Sequence, residues 1–335
     1  MKTKLDRFTA LSFRGGKTLK NRVVVPPMAS ETADHDGFVT SKTIEHYRRL
    51  TRSHAGLVFV EYSHVLLSGR SEENQLGIQT DAHIEGLSMI SKLIHDSGAL
   101  AGIQLTHAGG KTSSDLTGGV LMGPSDIPVP VKDQPMETPS PMGPGQIDEW
   151  KEAFVRAAGR AQSAGFDLVE LHSAHGYGLN QWLSPITNRR TDSYGGTLEK
   201  NARLLLETVE LIRRHHPGLL ISVRMPGQDF LEGGLTPYDA IWIAKELEKA
   251  GVDLIDVSSG IGGWRRPRDR TGEGYLVSEA AGIQSELSVP VIGVGGIQSG
   301  GFIDEALRQR RFSLAAVGRA ILEGPREWAE RQMVS

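Results

Sequence analysis

Short apolar runs and amphipathic segments alternate along the chain. Arg22-Val23-Val24-Val25 is a β-branched run that stops at Pro26-Pro27, because proline has no N–H to give a strand ladder. Polar and apolar positions over 41–53 follow a helical period, 56–61 (GLVFVE) reads as a strand, 84–96 as a second helix, and 100–105 as a third strand. A helix over 146–164 ends at Gly165, and a fourth strand follows at 168–171. A long helix over 197–215 runs into Pro217-Gly218, and the fifth strand covers 219–224. The next helix, 236–250, has Thr236 as N-cap, Pro237 in its first turn and Gly251 as terminator. Strands at 254–257, 289–294 and 312–317 complete eight, with a helix over 302–309 between the last two.

Eight buried strands separated by helices predict one closed (β/α)8 barrel spanning residues 1–335, the α/β fold known as a TIM barrel. The competing architecture is an open doubly wound sheet. It usually carries a glycine fingerprint after strand one, where this chain has Pro26-Pro27-Met28. The one long irregular segment, 106–145, is rich in Pro, Gly and Ser and follows strand three, so it is expected to lie over the active-site face as a lid or binding loop.

Composition narrows the partners. With 39% hydrophobic and 23% charged residues the chain is ordinary for a globular domain, and a net charge of −3 argues against a nucleic-acid surface. The absence of Cys excludes disulfides, a thiol nucleophile and cysteine-ligated iron–sulfur clusters. No stretch approaches the roughly 20 apolar residues of a membrane span, and the N-terminus lacks a signal-peptide pattern, so a cytoplasmic protein with a small-molecule substrate is expected.

Candidate chemistry gathers where the barrel places it. His172, His175 and Tyr177 follow strand four, at the C-terminal strand end where barrel enzymes carry their active sites. A zinc pair is the weaker reading of the histidines, for no third ligand and no HExxH helix accompany them. Gly295-Gly296 after strand seven and Gly318-Arg319 after strand eight occupy the loops where barrels commonly bind phosphate. Gln104 and Arg224 end strands three and five. They suit a polar planar ligand such as a flavin, Gln104 at its pyrimidine edge and Arg224 beside the charge of the reduced ring, or else Arg224 pairs with a buried carboxylate such as Glu61.

These residues carry a resemblance to the old yellow enzyme family of FMN-dependent ene-reductases. It rests on Pro27-Met28, on Gly102-Ile103-Gln104-Leu105 with His107-Ala108-Gly109, and on the run holding His172, Ser184-Pro185, Asn188-Arg189, Arg190-Thr191-Asp192 and Tyr194-Gly195-Gly196. The spacing of His172, His175 and Tyr177 is most similar to the bacterial thermophilic-type subclass. The resemblance implies FMN as cofactor, NADPH or NADH as reductant, and hydride delivery to the activated C=C bond of an unsaturated carbonyl compound. It assigns His172 and His175 to the carbonyl and Tyr177 to proton donation. It also assigns Pro26, Pro27, Met28, Ala29 and Tyr62 to the flavin's flank, Gln104 and Arg224 to its ring edge, and Gly295, Gly296, Gly318 and Arg319 to its phosphate. It places Lys111 toward the nicotinamide donor, and it implies a homo-oligomer in which a C-terminal arginine, here in the region of Arg326 and Arg331, reaches a neighbouring subunit.

The chain departs from the subclass at three positions. Ala29 stands where a cysteine is usual, Glu31 where a tyrosine lines the substrate pocket, and Tyr62 where the residue is small. The arginine-rich loop after strand six, Trp264-Arg265-Arg266-Pro267-Arg268-Asp269-Arg270, has no counterpart in the pattern. It reads either as an anion site for NADPH or an acidic substrate, with Trp264 as cover, or as a solvated loop. Two further functions stay open at this level: a flavin-dependent dehydrogenase or isomerase of a cyclic enone, and a flavin-free phosphate-binding aldolase or isomerase using Glu61.

Overall fold

Each strand of the predicted set is buried on both faces, and the computed structural model, which describes residues 5–131, 136–264 and 266–334, closes them into a barrel. The strands are β1 Val23–Val25, β2 Leu57–His64, β3 Leu100–Thr106, β4 Leu168–His172, β5 Leu220–Pro226, β6 Leu254–Ser258, β7 Val291–Gly293 and β8 Leu314–Ala316. Every neighbouring pair is parallel, and β8 closes on β1 through Ala315 opposite Val23 and Ala316 opposite Val24.

Side chains alternate along a strand, so each strand serves two cores. Val24, Leu57, Phe59, Leu168, Leu220, Leu254, Ile292 and Leu314 pack in the barrel lumen, while Val23, Val25, Val58, Val60, Ile103, Val169, Ile221 and Val257 pack outward under the helices. Those helices are α1 Ser41–Thr51, α2 Ile84–Asp96, α3 Pro144–Ser163, α4 Leu198–His215, α5 Pro237–Lys249, α6 Val277–Gln284, α7 Gly300–Arg308 and α8 Pro325–Gln332. The Thr236 cap is present as expected, its hydroxyl accepting from Asp239 N while Asp239 answers with its carboxylate.

Several elements escaped the sequence reading, α8 and the short helices Gly178–Leu183 and Arg319–Glu323 among them. α6 is short and weakly amphipathic, and an antiparallel pair, Leu11–Ser12 with Thr18–Leu19, sits ahead of the barrel. This pair closes the bottom of the lumen with Leu19, against which Leu11 and Phe13 pack. Among the described residues, the predicted long segment after β3 holds a turn of helix, Ser114–Thr117, and the two-residue pair Met122–Gly123 with Ser140–Pro141.

Candidate active site

The upper lumen is polar on the side where β4, β5 and β6 continue their inward alternation with polar residues. β4 points Leu168, Glu170 and His172 inward in succession, β5 Leu220, Ser222 and Arg224, and β6 Leu254, Asp256 and Ser258. All of the polar members are buried, so each needs a partner. Gln104 Nε2 donates to Glu170 Oε1 and Ser222 Oγ to Glu170 Oε2, both at 2.8 Å. Arg224 Nε stands 3.2 Å from Asp256 Oδ2, an ion pair by distance, but the N–H is not aimed at the oxygen; Arg224 Nε and both Asp256 oxygens are left without a hydrogen-bond partner.

Arg224 therefore does not pair with Glu61, the carboxylate that the sequence offered. An irregular register beyond Val60 accompanies a different fate for Glu61, which accepts from Ser30 N at 2.8 Å, Ser30 Oγ at 2.5 Å and Tyr47 OH at 3.1 Å. It ties the loop after β1 to α1.

Above this floor the loop after β4 brings the three expected side chains together. His172 and His175 meet edge to face at 5.1 Å, and Tyr177 lies 4.6 Å from His172 between ring centroids. His175 has φ +59°, a left-handed conformation that costs a non-glycine residue free energy and persists where neighbours hold it. Its N–H donates to Ser259 O at 3.1 Å, and Ser173 N donates to Arg224 O at 2.8 Å. Gly176 next to it, at φ +79°, has no room for a Cβ, which would fall 2.8 Å from Ile261 O. The long family-like run after Tyr177 braces this loop from behind: Ser184 Oγ donates to Asp229 Oδ2 at 2.6 Å, and Asn188 Nδ2 donates to the carbonyls of Trp182 and Tyr194 at 2.8 Å.

Burial, followed by the charge of Arg224, holds the pKa of both histidines well below the usual imidazole value, so they are neutral at pH 7. Burial raises the Tyr177 phenol, while hydrogen bonding with Tyr62 and Ser71 pulls it back. His175 Nε2 lies 2.6 Å from Ser258 Oγ, and Ala174 N lies 3.4 Å from His172 Nδ1.

Gln104, His172, His175, Tyr177, Arg224 and Ser258 line one cavity of about 1220 Å³, larger than the roughly 300–1,000 Å³ usual for one small ligand. Its sides include Pro26, Pro27, Met28, Ala29 and Tyr62, and its far end Gly295, Gly296, Gly318 and Arg319. At that end Gly295 and Gly296 have φ +118° and +70°, and a Cβ on Gly296 would approach Arg319 Nη2 at 3.7 Å. The N–H groups of Gly296, Ile297, Gly318, Arg319 and Ala320 have no partner among the described residues. Arg319 is exposed and makes no ion pair among those residues.

Glu31 and Trp264 also line the cavity, Glu31 at φ +51° and Trp264 with 69% exposure at the rim. Arg265 lies outside the described residues. Of the arginine-rich loop, Arg270 is already engaged with Glu279 at 2.7 Å, while Arg266 donates to Arg270 O and leans on the Tyr275 ring. Sequence reasoning missed Glu170 and Asp256, although an acidic residue at the inward period of an apolar strand was a readable signal. The resemblance placed Lys111 toward the nicotinamide donor, and the structure gives it partners beside the tyrosine. The side chain is half-buried against Tyr177, its Nζ 4.1 Å from the ring centroid and donating to His175 O at 2.7 Å, and desolvation lowers its pKa to about 8.

Comparison with known proteins agrees with this geometry. A family model described as NADH:flavin oxidoreductase / NADH oxidase matches residues 8–332. NADPH dehydrogenase of Bacillus pumilus is 40% identical over 326 residues, 97% of this chain and 93% of the relative. That of Halalkalibacterium halodurans is 41% identical over 312 residues, 92% of this chain and 89% of the relative. Among solved structures, an old yellow enzyme homologue from Zymomonas mobilis superposes with a TM-score of 0.82 at 25% identity, over 96% of this chain and 90% of that one. Morphinone reductase does so with a TM-score of 0.83 at 25% identity, over 98% and 90%. An eight-stranded barrel with a polar upper lumen, a cavity sized for more than one ligand and a free set of backbone donors at its far end is thus matched over nearly its whole length, and the chain belongs to the NADH:flavin oxidoreductase / NADH oxidase family as an FMN-dependent, NAD(P)H-using oxidoreductase of the old yellow enzyme type.

Proposed function

We propose that this oxidoreductase reduces the activated C=C bond of α,β-unsaturated carbonyl compounds, and that Tyr177 supplies the proton. The observation that carries the reading is the convergence of two neutral imidazoles and one protonated phenol over a floor that ends in Gln104 and Arg224.

The residues fit FMN. Arg224 has an N–H without a hydrogen-bond partner at the cavity floor, and the unengaged backbone N–H groups with Arg319 form an anion cradle at the far end. Pro26, Pro27, Met28, Ala29 and Tyr62 would flank the ring, Gln104 and Arg224 would meet its polar edge, and Gly295, Gly296, Gly318 and Arg319 would hold the phosphate. FMN, when bound, supplies the hydride.

The protein supplies orientation, charge stabilisation and the proton. Where the Ser258 hydroxyl donates to His175 Nε2, the His175 proton is on Nδ1, and the Ala174 N–H at His172 Nδ1 leaves the His172 proton on Nε2. Each imidazole then has one N–H to give a substrate carbonyl. Two such donors stabilise the enolate oxygen that develops as the β-carbon is reduced. Tyr177, kept protonated by its raised pKa, holds a proton for the α-carbon. Glu31 and Trp264 would border the substrate at the rim.

The test follows NADPH oxidation without oxygen in the presence of 2-cyclohexenone, with product identified by gas chromatography. Enone-dependent NADPH consumption and cyclohexanone formation are expected. NADPH-reduced flavin that persists with cyclohexenone, maleimide and a nitroalkene alike would overturn the reading.

A further inference from the structure

The mechanism above gives no role to the buried carboxylate of Glu170. Glu170 has 0% exposure and sits in the lumen one inward position below His172. Its two oxygens are separately engaged, Oε1 by Gln104 Nε2 and Oε2 by Ser222 Oγ. Oε1 accepts whether the acid is ionised or carries its proton on Oε2 toward Ser222, so Glu170 fixes which end of the Gln104 amide faces down. The Gln104 carbonyl oxygen and its second N–H are left for the cavity, a paired acceptor and donor.

We propose that Glu170 is a positioning residue for the flavin, holding the Gln104 amide in one orientation and, through its own charge, biasing the cavity floor against negative charge on the bound ring. This rests on the placement of the FMN ring edge at Gln104 and Arg224 proposed above.

The groups that face Glu170 define the charge. Asp256 approaches from β6 and Arg224 from β5; Gln104 on β3 and Ser222 on β5 are uncharged, and His172 on its own strand is neutral. With both acids ionised, the Glu170, Asp256 and Arg224 set carries net −1, and with one proton it is neutral. Burial, then the charge of Asp256, raises the Glu170 pKa to about 8, and burial raises that of Asp256 also, so near neutral pH the pair retains a proton. Above that range the floor becomes anionic. An anionic floor opposes adding electrons to the ring.

The experiment measures the midpoint potential of bound FMN in the holoenzyme from pH 6.5 to 9 for wild type, Glu170→Gln and Ser222→Ala, with FMN affinity from fluorescence. The pH dependence of the ring itself is common to all and cancels in the difference. Relative to Glu170→Gln, the wild-type potential is expected to fall by about 30 mV across the range, a tenfold change in the ratio of reduced to oxidised flavin binding for a two-electron couple. Ser222→Ala removes a donor that stabilises the ionised carboxylate and is expected to move the break to higher pH. FMN affinity should weaken several-fold in Glu170→Gln, because an amide there accommodates Gln104 in either orientation. Potentials that run parallel at all pH values, with unchanged FMN affinity, overturn the inference, and an unmoved break in Ser222→Ala overturns it independently of whether Glu170→Gln folds. Gln104→Ala separates the two levels: unchanged FMN affinity there removes the ring-edge placement itself, whereas lost affinity with a flat Glu170→Gln comparison removes only the role of Glu170.

Discussion

The lower and upper halves of the barrel lumen are built by the same strands, one inward position apart, and behave as opposites. Below, Leu57, Phe59, Leu168, Leu220, Leu254 and Leu314 fill the lumen with apolar side chains. Above, Gln104, Glu170, Ser222, Arg224 and Asp256 are as deeply buried yet polar, and the set still leaves Arg224 Nε and both Asp256 oxygens unpaired. Burial alone therefore does not distinguish a structural layer from a functional one. The difference lies in what burial costs: an apolar side chain gains from leaving water, whereas a polar one loses unless a partner meets it. The lower layer is complete within the protein, and the upper one keeps polar groups unpaired beside the cavity where we propose the flavin binds.

Substitutions in the two layers should then have separable consequences. The largest effect is expected for Phe59→Ala, which opens a cavity in the lower layer and should cost about 3–5 kcal/mol of stability by denaturant unfolding. FMN binding by the folded fraction should be unchanged, and its loss there would break the distinction. Next in size is Tyr177→Phe, which should slow the enone half-reaction by about 100-fold or more while leaving flavin reduction by NADPH and the melting temperature nearly as they were. Equal slowing of both half-reactions would place Tyr177 elsewhere in the chemistry.

A smaller effect is expected at Tyr62, whose ring lies 5.4 Å from that of Tyr177 and whose hydrogen bonding draws the Tyr177 pKa down. Tyr62→Phe should slow only the enone half-reaction, by roughly three- to tenfold, an acid–base contribution below the ~100-fold of a full general acid. Rapid-mixing kinetics would show it, and an unchanged rate would leave Tyr62 as a wall only. The subtlest prediction concerns Lys111, whose pKa of about 8 lies below the roughly 10.4 of a free lysine. Between those values the unfolded chain binds more protons than the native one, so stability gains a term that rises with pH across that window. Lys111→Met should remove this rising term from stability measured between pH 7.5 and 10.5.

Much of this was legible before the structure. The eight strands, the helices α1 to α5 and α7, and the placement of His172, His175 and Tyr177 at the end of β4 follow from periodicity and turn residues, because those are local properties of a few consecutive positions. The boundaries at β7 and β8 came out shorter than their apolar runs, since the ladder ends where the barrel neighbours end. α6 was missed because its apolar residues do not fall on one stripe.

What the sequence by itself determined is therefore the barrel, the order of its strands and which strand ends meet at the cavity. The tertiary structure alone decided the partners: Arg224 facing Asp256 and not Glu61, Glu170 joined to Gln104 and Ser222, Tyr62 laid against Tyr177, and Lys111 folded under His175. These pairs lie tens of residues apart along the chain. No local pattern encodes them, because barrel closure chooses which inward side chains share a layer, and burial then makes the cost of each unmatched polar group decisive.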